Sequence, residues 1–548
     1  MCLKPQPPRP MPEETGRIGA ALLADGSPYR FVGDVVYEQF ADEEFADLYP
    51  RDGQPTISPV LLSFVTIFQY LEDLSDRDAV LALKDRISWK YALHLPLEYA
   101  SFDHTVLVEF RARLRRHGAE GRIFTAVLAR LKALGMYKER GVQRTDSLAV
   151  ESPTRPLRRL ELVSDAIRVA VKELLRVDPD WTRQVIPLEW EKKYGRPCKT
   201  ARMTAEEREK KSVHVGRDGQ WLLDRLDEDD AAHLRELRDV ATFRLIWQQH
   251  YMPTADGTLV WTLGGDHGGA EAIETPYDPE ARWSKKGDFH WIGDKLQVTE
   301  TDDADYPHLI TDIDLGPATE SDYDALDAIR ARQKARSVLP GERYVDSGYV
   351  SGGNIRRGRD DYGEDLIGPI RAASTPQSKL PGGLTHADFD VDWDGKQVTC
   401  PQGHTVTITT NGKRPELQAT FPARVCRDCP LRPRCCTGKK EGRTLRFSHD
   451  YPETQAARSR QTTEDFKTKY RTHRSGIEGC LSALVWGHGI RRNRYRRRAT
   501  NRICALGIGA AVNLARAAAW RAGYRPPKHQ PSLRLIRPTP TPAVPPAA

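Results

Sequence analysis

Apolar residues recur at helical spacing through the first quarter of the chain and switch to alternation further on. Leu61, Leu62, Val65, Phe68 and Leu71 fall on one helical face behind the start signal Ser58-Pro59. Further helices fit residues 76–83, 104–117 and 119–134, so a compact helical domain is expected over 31–138. Gly141 to Val150 reads as a strand with Asp146 in its middle. Helical periodicity returns over 157–176 and 228–250, with a polar, charged region between, and 155–252 reads as a helical insertion. Alternation then dominates: Ile292, Leu296 and Val298 on one strand, Leu309, Thr311, Ile313 and Leu315 on the next. A helix over 322–335 and short strands over 343–346 and 365–370 follow. Strands and helices in this order predict a mixed α/β layer fold.

The rest of the chain is less regular. Residues 372–450 carry most of the cysteines and lack periodicity. Residues 462–486 read as one helix and 499–521 as another, alanine-rich one. Residues 1–30 are rich in Pro and Gly and are expected to be disordered, as is the proline-rich segment 525–548.

Composition narrows the class. The chain has 548 residues, 39% hydrophobic and 29% charged, which suits a soluble globular protein. No signal-peptide pattern is visible, and the most apolar stretch, 503–514, is short for a membrane span and contains Asn513. A cytoplasmic location is expected, with the nine cysteines reduced or metal-bound. The net charge of +7 matters less than its placement. Arg111, Arg113, Arg115 and Arg116 form one basic run. Arg491, Arg492, Arg494, Arg496, Arg497 and Arg498 form a stronger one around Tyr495. Such runs neutralise phosphates, and a tyrosine among them can stack on a base, so DNA is the expected partner. A solvated or packed helix face is the plainer alternative, above all for the shorter run.

Two motifs and a third upstream carry the chemistry. Asp146 lies in Thr145-Asp146-Ser147. Asp346 lies in Val345-Asp346-Ser347-Gly348-Tyr349, where the glycine permits a sharp turn after a strand. Glu478 lies in Arg474-Ser475-Gly476-Ile477-Glu478-Gly479, and Tyr470, Arg474 and Glu478 share one helical face by their spacing of four. Two or three carboxylates brought together suit a divalent cation, and two such ions can activate water and stabilise a leaving oxygen in phosphodiester cleavage. Spacing alone does not choose among 76 acidic residues; Asp312 with Asp314, and Asp278 with Asp294, compete as ligands.

These motifs resemble the IS1182 group of insertion-sequence transposases, within the IS4/IS5-like DDE superfamily. The resemblance runs over most of 30–520. It includes the helical stretch from Arg158 to Val163, Tyr277-Asp278-Pro279-Glu280-Ala281-Arg282-Trp283, Pro307-His308-Leu309-Ile310-Thr311, and the run from Gly489 to Arg496. It implies an RNase H-like catalytic core over 139–500 with an N-terminal DNA-binding domain, a C-terminal helix over 501–524, and metal binding (Mg²⁺ or Mn²⁺) by Asp146, Asp346 and Glu478. Tyr470 and Arg474 would be the Tyr and Arg of the family signature. The chain departs from that pattern in having three residues between Tyr470 and Arg474, and Val485 where a lysine is usual. The resemblance implies metal-dependent cleavage at terminal inverted repeats, strand transfer into target DNA, and a homodimer that pairs two ends. A nuclease that cuts without joining, or a non-catalytic DNA-binding relative, are the alternatives.

Cys400, Cys426, Cys429 and Cys435 are the preferred four ligands of a structural zinc in a zinc-ribbon-like insertion over 372–450, with His404 or Cys436 as substitutes and free thiols as the plainer alternative.

Overall fold

The computed structural model describes residues 2–254, 259–262, 269–371, 375–410, 417–436 and 442–525. Residues 526–548, which hold nearly all of the expected proline-rich tail, lie outside them.

The chain opens with α1 (Glu13–Leu22), where the composition suggested disorder. The helix forms because it has something to pack on. The Thr15 hydroxyl donates to the Leu95 carbonyl at 2.9 Å, and Gly19 lies so close to Tyr91 that a Cβ would fall 2.0 Å from the ring. Next come α2 (Pro59–Leu71), α3 (Asp76–Asp85), α4 (Thr105–Arg116) and α5 (Arg122–Ala133). In α2, Ser58 caps the first turn, Pro59 occupies the position where its missing N–H costs nothing, and every residue from Pro59 to Tyr70 is buried.

The largest sheet has six strands: β1 (Val142–Glu151), β2 (Arg282–Lys286), β3 (Phe289–Thr301), β4 (Ile310–Pro317), β5 (Glu342–Tyr344) and β6 (Asp365–Ile367). Strand β3 is long enough to pair with β2 through its first half and β4 through its second, both antiparallel, and with β1 along its other edge. Beyond β1 the pairing turns parallel, to β5 and then β6. Counting β1, β3, β4, β5 and β6 as first to fifth, the order is 3-2-1-4-5. Helix α6 (Arg159–Val177) follows β1, and α9 (Asp322–Ala335) and α10 (Gly352–Tyr362) connect β4, β5 and β6.

Between α6 and the sheet lie α7 (Ala205–Leu226) and α8 (Arg238–His250). Helix α7 occupies the region that reads as merely polar. Its buried face is thin, made of Ser212, Val215, Gly216, Gly219, Leu222, Leu223 and Leu226, so the apolar period is hard to see among its charges. These helices enclose a hydrophobic core of their own around Val163, Ile167, Leu222, Phe243 and Trp247. Residues 390–447 are more regular than expected, forming two three-stranded sheets around a small core that includes Val398, Ala419, Leu445 and Phe447.

The segment expected to be one helix over 462–486 is two: α11 (Glu464–Arg474) and α12 (Ile477–His488). The last described helix, α13 (Arg498–Arg521), packs against α2, α5 and β4. It has the length and apolarity of a membrane span, longer than the apolar run in the sequence suggested, and 78% of that window is buried inside the protein. Gly507 meets the Tyr70 ring, and Gly509 fits between Ile313 and Phe124. Asn513 satisfies the backbone of Ile310 in both directions, accepting from its N–H at 2.7 Å and donating to its carbonyl at 2.8 Å. One continuous core therefore joins the helical domain, the sheet and α12–α13.

Candidate active site

Parallel pairing of β1 with β5 builds the centre of the site. Arg144 pairs with Tyr344, and two residues beyond that last pair Asp146, midway along β1, stands near Asp346, in the turn after β5. Asp146 is 8% exposed, and its carboxylate accepts from the Ser147 N–H at 2.8 Å. Burial pushes its carboxyl upward; Arg474 and the Ser147 N–H oppose this, and Asp346 adds to it. Asp346 sits in the turn after β5, where its carboxylate accepts from the Gly348 N–H at 2.7 Å.

Gly348 is required by close approach. A Cβ there would stand 2.9 Å from Asp346 Oδ1 and 3.1 Å from Asp322 Oδ2. Asp322, in the first turn of α9, therefore belongs to this acidic corner, although sequence reasoning passed over it. Its only sequence signal is a place after the helix-capping Ser321, which reads as ordinary capping. It interacts with Gln297 at 3.1 Å and Lys295 at 3.5 Å. Behind the carboxylates lies the fully buried Tyr349, whose hydroxyl donates to Gln297. Its phenol is driven far upward by burial first, then by Asp322, Asp146 and Asp346.

Helix α11 supplies the counter-charge. Arg474, its last residue, pairs with Asp146 at 2.7 Å. One turn earlier, Tyr470 stacks on Phe466 with nearly parallel rings 5.5 Å apart. Its phenol is raised by burial, with Arg474 opposing and Asp346 and Asp146 reinforcing.

Between Arg474 and Glu478 the helical hydrogen-bond ladder is interrupted at Ser475-Gly476, although both residues keep helical dihedrals. At Gly476 a Cβ would fall 1.8 Å from Arg144 Nη1. Arg144 cannot yield: it is held by Glu300 and Asp302, each at 2.8 Å, and it donates to the His473 carbonyl at 3.2 Å. Glu478, the second residue of α12, has an exposed side chain. Among the described residues no three His, Cys, Asp or Glu side chains converge closely enough to hold a metal ion. The structure thus joins Asp146, Asp346, Arg474 and Tyr470, and leaves Glu478 outside.

The competing carboxylates are accounted for by partners. Asp312 is clamped by Arg332 and Arg336, Asp314 by Arg332 and Arg502, and Asp294 by Arg498 and Asn493. Asp278 accepts from the Ser152 hydroxyl at 2.6 Å.

Several of the expected DNA contacts have partners within the chain, some buried and some, such as Arg116 and Arg494, at the surface. Arg111 is 3% exposed and bound to Asp76 at 2.6 Å. Arg113 lies over the Tyr49 ring and donates to the Leu48 carbonyl, Arg115 reaches Thr500, and Arg116 pairs with Glu109. Tyr495 packs against the helical core under Arg111 instead of offering a face for a base. Arg498 serves Asp294, and Arg494 serves Asp73 and the Tyr70 ring. Arg491, Arg492, Arg494, Arg496 and Arg497 stay exposed, Arg492 donating to the Pro153 carbonyl and Arg496 lying over Tyr277.

The preferred zinc ligands also do not form a set. Cys426, Cys435 and Cys436 lie near enough to influence one another. Burial, then Cys436, pushes the Cys435 thiol up to about 12, which keeps it protonated. Cys400 packs on the same small core. Residues 437–441, next to this cluster, lie outside the described residues. Cys2 is a free but buried thiol that donates to the Gly53 carbonyl at 2.9 Å.

Two family models match the chain. One, described as a transposase DDE domain, covers residues 399–518 and so includes Arg474 and Glu478. The other, described as a transposase domain (DUF772), covers 19–113, the larger part of the helical domain. Together the two matches indicate a DDE transposase of the IS1182-like kind. No curated protein and no solved structure matches it. In this transposase the two matched segments pack on one another through α13, which places the helical domain against the sheet that carries Asp146.

Proposed function

We propose that this transposase cuts and joins DNA at the corner formed by Asp146 and Asp346. The observation that carries the reading is the register of β1 and β5, which brings Asp146, midway along β1, near Asp346 in the turn that follows β5. The 3-2-1-4-5 strand order supports an RNase H-like core. The donor set fits a hard divalent cation. Two neighbouring carboxylates in a buried corner repel unless a positive charge joins them, and Mg²⁺ is commonly held by one or two carboxylates plus substrate phosphate. Asp146 and Asp346 would hold Mg²⁺ or Mn²⁺, which when bound activates the attacking oxygen and stabilises the leaving one.

The chain's own groups do the rest. Arg474 is placed to trade its contact with Asp146 for a phosphate oxygen, and Tyr470 lines the same wall. Glu478, one turn from the break at Gly476, completes the site by movement of α12. In the first step water adds to phosphorus and the 3′ oxygen leaves with a proton, giving a 3′-hydroxyl and a 5′-phosphate. In the second step that hydroxyl attacks a target phosphodiester and displaces another 3′ oxygen, with no covalent bond to the protein. Arg491, Arg492, Arg496 and Arg497 would meet phosphates. A homodimer acting on DNA in the cytoplasm suits the pairing of two element ends.

One observation favours a second reading, a transposase-derived DNA-binding protein without catalysis. Glu478 stands apart while Arg474 already neutralises Asp146. Mg²⁺-dependent cleavage and strand transfer on the DNA flanking this reading frame separates the two. The wild type should give joined products, and Asp346→Asn should lose them by at least a thousandfold. Binding without cleavage by the wild type would select the second reading, and equal activity in the variant would remove Asp346 from the site.

A further inference from the structure

Helix α12 has two faces, and only one is explained by folding. Ile477, Cys480 and Leu484 point into the core. Opposite them, Gly479, Ser482, Ala483, Trp486 and Gly487 recur at i, i+3, i+4, i+7 and i+8 and are all exposed. Trp486 is 85% exposed, an unusual placement for the largest apolar side chain. Glycine in a helix interior costs roughly 1 kcal/mol against alanine. A Cβ at Gly479 or Gly487 meets nothing within 4 Å, so no contact inside this chain calls for either glycine. The face is smooth, with one aromatic blade, and Glu478 stands at its upper end.

Its surroundings are cationic. Between Phe466 and Arg498 the chain carries ten lysines and arginines and one acidic residue, Glu478. Eight of the ten are exposed: Lys467, Lys469 and Arg471 before the break, and five of the six arginines that follow α12. A polyanion is the complementary occupant, and a second copy of the same cationic face would be repelled.

We infer that the exposed face of α12 is a DNA-docking surface on which Trp486 stacks against an unpaired base beside the strand being cut. The inference rests on the DNA-cutting reading above and adds a stacking residue to it. Small side chains let the backbone of the strand approach the helix, flanking arginines bind its phosphates, and the indole replaces the stacking a base loses when a duplex opens. The preferred ligand is therefore DNA with a local single-stranded break in pairing, not a continuous duplex.

The test compares binding of a forked and a fully paired duplex, both carrying DNA that flanks this reading frame, with 2-aminopurine at the fork. Wild type should prefer the fork and quench the probe. Trp486→Ala should lose about tenfold in fork affinity and the quenching, with paired-duplex affinity and thermal midpoint unchanged. Trp486→Phe should keep most of both. Equal fork affinity and quenching in Trp486→Ala would overturn the inference. So would a Trp486→Ala protein whose only change is a smaller assembly in sedimentation, which would make the face a contact between copies. A wild type that binds the fork through Trp486 yet cuts nothing would keep this inference and remove the catalytic reading.

Discussion

Individual carboxylates in this chain are distinguished by what stands against them. Asp312, Asp314 and Asp294 are each met by one or more guanidinium groups and serve as internal counter-ions. Asp278 is different. Burial, with Asp294 and Glu280 nearby, pushes its carboxyl from 3.8 to about 6, against the pull of Ser152. A raised value means that folding favours the protonated form. That contribution is whole below about pH 3.8 and is lost as pH rises through 6, so above neutrality the fold carries an unwelcome buried anion. Asp278→Asn keeps an acceptor for Ser152 and removes the charge. It should stabilise the protein by roughly 1–2 kcal/mol at pH 7.5, with the gain shrinking toward pH 5. Urea titrations at the two pH values read this directly; a gain independent of pH would place its origin elsewhere. The same contrast of partners explains Arg111, which the sequence shows as one of a basic run and the fold turns into the buried mate of Asp76.

At the scale of elements, the break between α11 and α12 has the greatest consequence. Both halves are strongly helical in sequence, and Ser475-Gly476 alone is a weak stop, so a single helix was the natural expectation. Against this junction stands Arg144, whose pairs with Glu300 and Asp302 leave no room for a side chain at 476. Gly476→Ala should therefore cost about 1–3 kcal/mol, as overpacking against a fixed group does, and should lower cleavage beyond the loss of folded protein. Chemical denaturation with cleavage rates checks both; unchanged stability would mean that Arg144 is free to move. Strand β1 shows the opposite case. Its alternation was legible because one face of that strand meets the helical core through Leu148 and Val150.

Among the described residues, the three largest hydrophobic cores are of unequal reach. The main one joins the helical domain, the sheet and α12–α13, while the helices from α6 to α8 and the two small sheets over 390–447 each enclose their own. Regions that share a core unfold together. Amides in α2, β4 and α13 should exchange as one unit at the highest protection, and amides in α7 and α8 should open at lower denaturant. Native-state hydrogen exchange separates the two groups; a common opening free energy for all of them would show that the insertion is not independent.

Sequence by itself determined the order and kind of most elements, the strand that carries Asp146, the turn that carries Asp346, and membership among transposases. These features depend on local periodicity, on glycine and proline signals, and on motifs contiguous in the chain. Tertiary structure alone decided which charges are spent internally, that Asp322 joins the acidic corner, that Cys436 lies near Cys426 and Cys435, and that Arg474 pairs with Asp146. Each of these is a meeting of side chains far apart in sequence. Spacing says which face of an element a residue occupies, but only packing says what lies opposite it, and for charged groups the partner determines the role.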